Sequence, residues 1–262
     1  NHVYPNGFHA LRGISMTVAQ GEFVAVIGQN GSGKTTFAKH LNGLLRPTTG
    51  TIRINGEDIA GHRVSYLART VGYCFQNPDH QIFCDTVFKE VAFGPRNLKL
   101  TASEVESRVQ EALEAVGLVE CRDLNPRQLS KGQRQRLAVA AVLSMRPEIL
   151  IVDEPTTGQD YRAGLDMLGL IERLHQRGHT VIFITHDMPM VARFARRVIA
   201  FHAGQILIDG TTRQVFAQSD LLHTTFLSPP QITLLAQSFP HLYPETVLSV
   251  DEMVEQTLSI LA

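Results

Sequence analysis

The sequence predicts an α/β chain in which a mostly parallel sheet carries helices on both faces. Three observations lead there. Phe23-Val24-Ala25-Val26-Ile27 is an apolar run of strand length, bounded by Gly21 and Gly28, with the texture of a strand buried on both sides. Similar runs return at residues 149–152, 181–184 and 198–201. Between them, residues 162–176 and 188–196 carry helical spacing, and strands alternating with helices of that length build parallel sheets.

The remaining elements follow in chain order. Thr51-Ile52-Arg53-Ile54 alternates polar and apolar before Asn55-Gly56, the pattern of an antiparallel hairpin with one solvated face. Thr101 and Ser103 each have a glutamate three positions on, Glu104 and Glu106, giving two candidate capping boxes. Val105, Val109, Leu113 and Val116 then recur at helical spacing, and Gly117 supplies the stop. After Arg213 there is no Lys or Arg, while Asp220, Glu245, Asp251, Glu252 and Glu255 remain. Two short amphipathic segments, 232–239 and 250–261, follow Ser228-Pro229-Pro230, so residues 218–262 are expected to form a small acidic C-terminal domain.

Bulk properties narrow the function classes. A formal net charge of -1 argues against a dedicated nucleic-acid binder, and no nucleic-acid partner is expected. No apolar stretch approaches the roughly 18–20 residues that span a bilayer, so a membrane role has to come through a partner. Cys74, Cys84 and Cys121 form neither a C-x-x-C pair nor an even framework, which fits a reducing cytosolic compartment. The chain begins at Asn1, which leaves open whether further sequence precedes it.

The first motif with chemistry in it is Gly28-Gln29-Asn30-Gly31-Ser32-Gly33-Lys34-Thr35, a G-x-x-x-x-G-K-[ST] loop directly after a buried strand. Its glycines let successive backbone N–H groups turn inward on a polyphosphate, and the helix that starts near Lys34 aims its positive end at the same charge. Lys34 is suited to the β and γ phosphates, the Thr35 hydroxyl to Mg²⁺, and Thr36 to the nucleotide beside it. The bland alternative is a glycine-rich turn with an exposed lysine. At the end of the run 149–152 stand Asp153 and Glu154, where ligands of α/β sheets gather. Asp153 suits Mg²⁺, directly or through water, and Glu154 suits polarisation of an attacking water. Two acids at a solvated strand end are the bland reading here.

Leu129-Ser130-Lys131-Gly132-Gln133, taken with the phosphate loop and the Asp153-Glu154 pair, resembles the signature motif of ABC (ATP-binding cassette) ATPases. Ser130 also reads as an ordinary helix cap, and both readings can hold together. The resemblance covers about residues 1–215 and implies a P-loop NTPase fold. Residues 1–217 are then an ABC-type ATPase domain with a RecA-like core, an antiparallel β subdomain and a helical subdomain inserted at about 78–145. A short C-terminal helical appendage follows it. The resemblance further implies that Ser130, Gly132 and Gln133 grip the γ-phosphate held by a second subunit. It likens Gln76 to the Q-loop glutamine at the metal site, Asp160 to the D-loop aspartate, His186 to the switch histidine, and Tyr4 to the aromatic that stacks on adenine. The implied catalytic set is Glu154, His186, Gln76 and Lys34, the metal set Thr35, Gln76 and Asp153, and the cofactors ATP and Mg²⁺. Two positions depart from the pattern: Lys131 stands where the signature usually has glycine, and Gln159 where the D-loop usually has leucine.

Residues 75–83, Phe-Gln-Asn-Pro-Asp-His-Gln-Ile-Phe, followed by Val91-Ala92-Phe93-Gly94-Pro95-Arg96-Asn97, are similar to the ATPases of energy-coupling factor (ECF) transporters, importers of vitamins and transition-metal ions. That resemblance implies a membrane coupling subunit docking near Gln76 to Asn97, a separate substrate-binding membrane subunit, a second ATPase subunit, and a peripheral position on the cytoplasmic face of the membrane. The alternative is a non-transport ABC ATPase of repair or translation. The interval from Lys34 to Ser130 is too short for the long coiled coil of repair ATPases, and translation factors usually carry two cassettes in one chain.

Overall fold

A computed structural model describes residues 1–261. The chain folds into two compact units, one made of Asn1–Val18, Phe23–Phe37 and the chain from Ile184 onward, the other of Ala19–Glu22 and Ala38–Phe183.

In the first unit the apolar run becomes the strand Phe23–Gly28, buried at every position. It pairs in parallel with Arg197–His202, in a register that sets Gly28 beside Phe201. Arg197–His202 turns through Ala203 and Gly204, both at positive φ, into the antiparallel strand Gln205–Thr211. The sheet is therefore mixed at this edge. Helix Lys34–Leu41 begins six residues after Gly28, and its Phe37 ring packs on Phe201 at a centroid distance of 5.3 Å. A short antiparallel pair, His2–Val3 with His9–Leu11, lies at the N-terminus. Helix Met188–Phe194 stops two residues short of the expected end because Ala195 is already extended. The acidic tail contributes Gln231–Gln237 and Val250–Leu261, close to the two expected amphipathic segments. They meet at a small cluster of Ala236, Tyr243 and Val247, where Thr233 Oγ1 donates to the Val247 carbonyl at 2.6 Å.

In the second unit Val71–Cys74 and Ile149–Asp153 are parallel neighbours, Cys74 opposite Val152, and Thr180–Ile184 lies on the other side of Ile149–Asp153. The expected hairpin forms from Arg53–Ile54 and Glu57–Asp58, with Asn55 and Gly56 at positive φ in its turn. Three helices, Val87–Asn97, Ala102–Val116 and Lys131–Leu143, pack on one another. Of the two candidate capping boxes the chain uses Thr101 with Glu104, and Gly117 closes the helix in the left-handed conformation. Ser103 lies inside the helix, so its box does not form. Pro95 sits within Val87–Asn97 and has no N–H to give to the Val91 carbonyl. The buried Ser144 hydroxyl donates to that carbonyl instead, at 2.8 Å.

Gly72 lets the strand Val71–Cys74 lie against the end of helix Lys131–Leu143 and the chain that follows it. A Cβ there would overlap Val142 Cγ1 and come within 2.9 Å of Pro147 Cγ. Gly72→Ala is expected to cost about 1–3 kcal/mol through overpacking, read as a lower urea midpoint at an unchanged slope.

Candidate nucleotide site

The phosphate loop lies in the first unit, and two glycines are required by what surrounds it. At Gly28, φ +154°, a Cβ would come 2.5 Å from Ser32 Oγ and 2.6 Å from the Phe201 carbonyl. At Gly33, φ +107°, it would come 2.8 Å from the Ala10 carbonyl and 3.0 Å from Leu11 Cδ2. The loop is braced from the far side as well, since Gly204 N donates to the Ser32 carbonyl at 3.0 Å. Lys34, only 6% exposed, folds its ammonium back onto the loop and donates to the carbonyls of Gly28 at 2.6 Å and Gln29 at 2.9 Å. Ser32 Oγ is buried and finds no hydrogen-bond partner among the described residues. A buried hydroxyl without a partner is costly unless a ligand supplies one, and a phosphate oxygen is such a partner.

Other expected residues lie in the same unit. Thr35 is exposed at the start of the helix. Tyr4 is half-buried; its hydroxyl lies 3.0 Å from Thr36 Oγ1 and its ring meets the His2 ring edge-on at 4.7 Å. The segment before His186 is tied to the buried strand by the bond from Thr185 N to the Val26 carbonyl, 3.1 Å. His186 itself is exposed, and the following Asp187 caps Met188–Phe194 through Met190 N at 3.2 Å.

The carboxylates, Gln76, the signature residues and Asp160 lie in the second unit. Asp153 ends its strand 3% exposed and accepts a hydrogen bond from Tyr73 Oη at 2.8 Å. Burial, and then the charge of Asp153, holds the Tyr73 phenol well above the ordinary tyrosine range, so it stays a donor. Glu154, 6% exposed, adopts φ +49°, a left-handed conformation unusual for a side chain with a Cβ. The turn after it holds this geometry: Thr157 N donates to the Glu154 carbonyl at 3.2 Å and Thr157 Oγ1 to Glu154 Oε2 at 3.3 Å. Asp160 caps helix Tyr161–Gln176 through Ala163 N at 2.8 Å.

Gln76 is exposed in the turn that leaves Val71–Cys74. That turn is fixed by Gln81, whose side chain accepts from Phe75 N at 3.3 Å and donates to the Ala138 carbonyl at 2.9 Å. Further on, buried Glu90 accepts from Phe83 N at 3.0 Å and Cys84 N at 2.8 Å. The Phe83 and Phe93 rings form an exposed edge-on pair at 4.8 Å.

In the signature segment Ser130 does act as a helix cap. Its hydroxyl accepts from Gln133 N at 3.3 Å while Gln133 Oε1 accepts from Ser130 N at 2.9 Å. Gly132 has no such role, because a Cβ there would meet nothing within 4 Å. Sequence reasoning assigned no role to Tyr73 or Thr157. A tyrosine inside an otherwise apolar buried strand was the available signal, since its hydroxyl has to find a partner.

The ABC transporter family profile matches residues 11–157, more than half of the chain. This chain belongs to the ABC transporter family. Its ABC relatives include an energy-coupling factor transporter ATP-binding protein of Caldanaerobacter subterraneus, 42% identical over the whole chain and 94% of its own length. A putative ABC transporter ATP-binding protein of the same organism is 48% identical over 98% of this chain, and the chain spans 44% of that relative's length. Among solved structures, cbiO1 from Clostridium perfringens, part of the ABC transporter complex cbiONQ, matches with a TM-score of 0.79 and 35% identity over 90% of this chain and 96% of its own. A dimeric ATP-binding cassette in a post-hydrolysis state, bound to ADP and Pi, matches with a TM-score of 0.70 and 29% identity over 78% of this chain and 91% of its own. The fold is thus that of the ABC ATPases.

Tyr73→Phe takes away the donor to Asp153 and leaves the strand packing in place. The expected cost is about 1.5–3 kcal/mol, the range for a hydrogen bond to a charged group, measured by urea unfolding at neutral pH.

Proposed function

We propose that this chain binds and hydrolyses ATP with Mg²⁺ and works as one half of a cassette dimer that drives an ECF-type importer of a vitamin or transition-metal ion. The observation that carries the reading is the phosphate loop, with its buried Lys34 ammonium at the centre and the unmatched Ser32 hydroxyl beside it. On nucleotide binding, phosphate oxygens replace the loop carbonyls as partners of Lys34, and the backbone of 28–35 takes the rest of the charge. Tyr4 receives the adenine.

The donor set fits a hard cation: the Thr35 hydroxyl, the Gln76 amide oxygen and the Asp153 carboxylate, which Tyr73 already orients. A Mg²⁺ ion held by these oxygens would neutralise charge on the phosphates. Glu154 polarises the attacking water, while His186 donates to the γ-phosphate. Glu154 is shaped for this by its left-handed backbone, which turns it away from the line of the strand.

Gly132 supports the dimer. Among the described residues nothing lies within 4 Å of a Cβ placed there, which leaves the position open to the γ-phosphate on an opposing cassette. Ser130, Gln133 and Asp160 belong to the same opposing face. The second cassette is another copy, a homologous subunit, or one fused in the same polypeptide. Closing such a pair from about 1:99 to 99:1 takes about 5.5 kcal/mol of differential binding, which two shared nucleotides can supply.

The exposed pair of Phe83, on a loop that Glu90 anchors, and Phe93, on helix Val87–Asn97, supports docking of a membrane coupling subunit along residues 76–97. Among the described residues no helix is long and apolar enough to cross a membrane, so that subunit and a separate substrate-binding membrane protein provide the passage, with this chain on the cytoplasmic face. Residues 218–262 form the appendage that helps hold the pair together. The exposed stripe Val250, Val254, Leu258 and Leu261 supports that role.

Glu154→Gln is the test. The variant is expected to bind ATP with unchanged affinity and to hydrolyse it at least about 100-fold more slowly. With ATP it should run as a dimer in light scattering. Hydrolysis at the full rate removes Glu154 as the base.

A further inference from the structure

The two departures from the family pattern, Lys131 and Gln159, belong to one arrangement. Lys131 extends from the first turn of helix Lys131–Leu143 across Gly158, where a Cβ would overlap its Nζ and lie 3.5 Å from its Cε. One turn further along the same helix, Gln135 is 5% exposed, and its amide oxygen accepts a hydrogen bond from Gln159 Nε2. Gln159 Nε2 also donates to the Pro155 carbonyl at 3.2 Å, and Gln159 N to the Thr156 carbonyl at 3.1 Å. The loop 155–160 is therefore held to the signature helix by the side-chain bond at Gln159, with the Lys131 side chain lying over Gly158 next to it. A leucine at 159 could make neither side-chain bond, and a glycine at 131 could not reach the loop.

The loop so held contains Thr157, whose hydroxyl touches the Glu154 carboxylate at 3.3 Å. We propose that Lys131 and Gln135 are positioning residues: through Gly158 and Gln159 they fix the loop, and through Thr157 they aim Glu154. The proposal rests on the reading of Glu154 as the hydrolytic carboxylate. Its consequence is a linkage inside one chain. The helix that carries Ser130 and Gly132, which serve the opposing cassette's nucleotide, is fastened to the carboxylate that serves the chain's own. A shift of the signature helix on closure moves the loop with it, and the chain's own hydrolysis waits on its grip of the partner's nucleotide.

The test is a set of substitutions in the full chain: Lys131→Gly, Gln135→Leu, Gln159→Leu and Thr157→Val, with Gln159→Leu also combined with Thr157→Val. Gln135→Leu and Gln159→Leu are each expected to lower kcat about fivefold with KM for ATP unchanged, since a positioning effect acts on the chemical step rather than on binding. In the Thr157→Val background the further loss from Gln159→Leu should shrink below about twofold, the non-additivity expected of residues acting through one contact. Hydrogen exchange gives a reading that needs no hydrolysis. In Gln135→Leu, amides 156–159 should exchange at least about tenfold faster while those of 138–143 keep their protection, which also shows that the helix is folded. Lys131→Gly should act in the same direction on the same amides. Multiplicative losses in the Thr157→Val background, or unchanged exchange at 156–159, overturn the proposal. Should Glu154→Gln retain full activity, the catalytic reading falls and the exchange measurement alone still decides whether the loop is fastened.

Discussion

The constraint from which the rest of this site follows is the burial of one positive charge among backbone carbonyls. Lys34 is nearly withdrawn from solvent, and burying an ammonium is affordable only where polar groups surround it closely. The loop meets that demand by curling until the Gly28 and Gln29 carbonyls reach Nζ. Such curling needs a strand end that passes Phe201 without a side chain at 28, and a turn that passes Ala10 without one at 33. The neighbouring strand, the N-terminal pair and the turn at Gly204 are the walls against which the loop is pressed. The same curl leaves the Ser32 hydroxyl buried beside the ammonium without a hydrogen-bond partner among the described residues.

The carboxylate end follows the same logic with the sign reversed. Asp153 accepts from a phenol that burial holds protonated, and Glu154 is bent out of the strand by a turn that its own carbonyl helps to close. Ordinary capping does the remaining local work. Ser130 and Asp160 both direct side-chain oxygens to helix N–H groups, so residues singled out for ligand contact also have structural duties.

The sequence made most of this arrangement legible where a motif and its local geometry coincide. The phosphate loop, the strand before it, the acids at a strand end and the capped signature helix depend on neighbours in sequence, and they stand where the pattern put them. What it hid depends on pairing across the chain. Tyr73 reaches Asp153 only because Val71–Cys74 and Ile149–Asp153 run side by side, and no spacing within either strand announces that register. The antiparallel strand Gln205–Thr211 stands outside the expected elements, although Gln205-Ile206-Leu207-Ile208-Asp209 mixes apolar and polar residues as edge strands do. Helix Met188–Phe194 is two residues shorter than its sequence predicts because Ala195 and Arg196 are good helix formers locally, while the backbone there has already turned toward Arg197–His202. Lys131 and Gln159 could be recognised as departures, but their partners Gly158 and Gln135 only became visible in three dimensions.

Pro95 and Ser144 carry a lesson about which changes this chain tolerates. The serine hydroxyl answers a carbonyl left idle by the proline, 49 positions away in sequence. The value of each residue is therefore conditional on the other. With an ordinary residue at 95 able to satisfy Val91 from within its own helix, position 144 becomes free to drift toward alanine. While proline remains, the same drift strands a dehydrated acceptor among the three packed helices. Among relatives, the hydroxyl at 144 is expected to be lost only where position 95 is no longer proline.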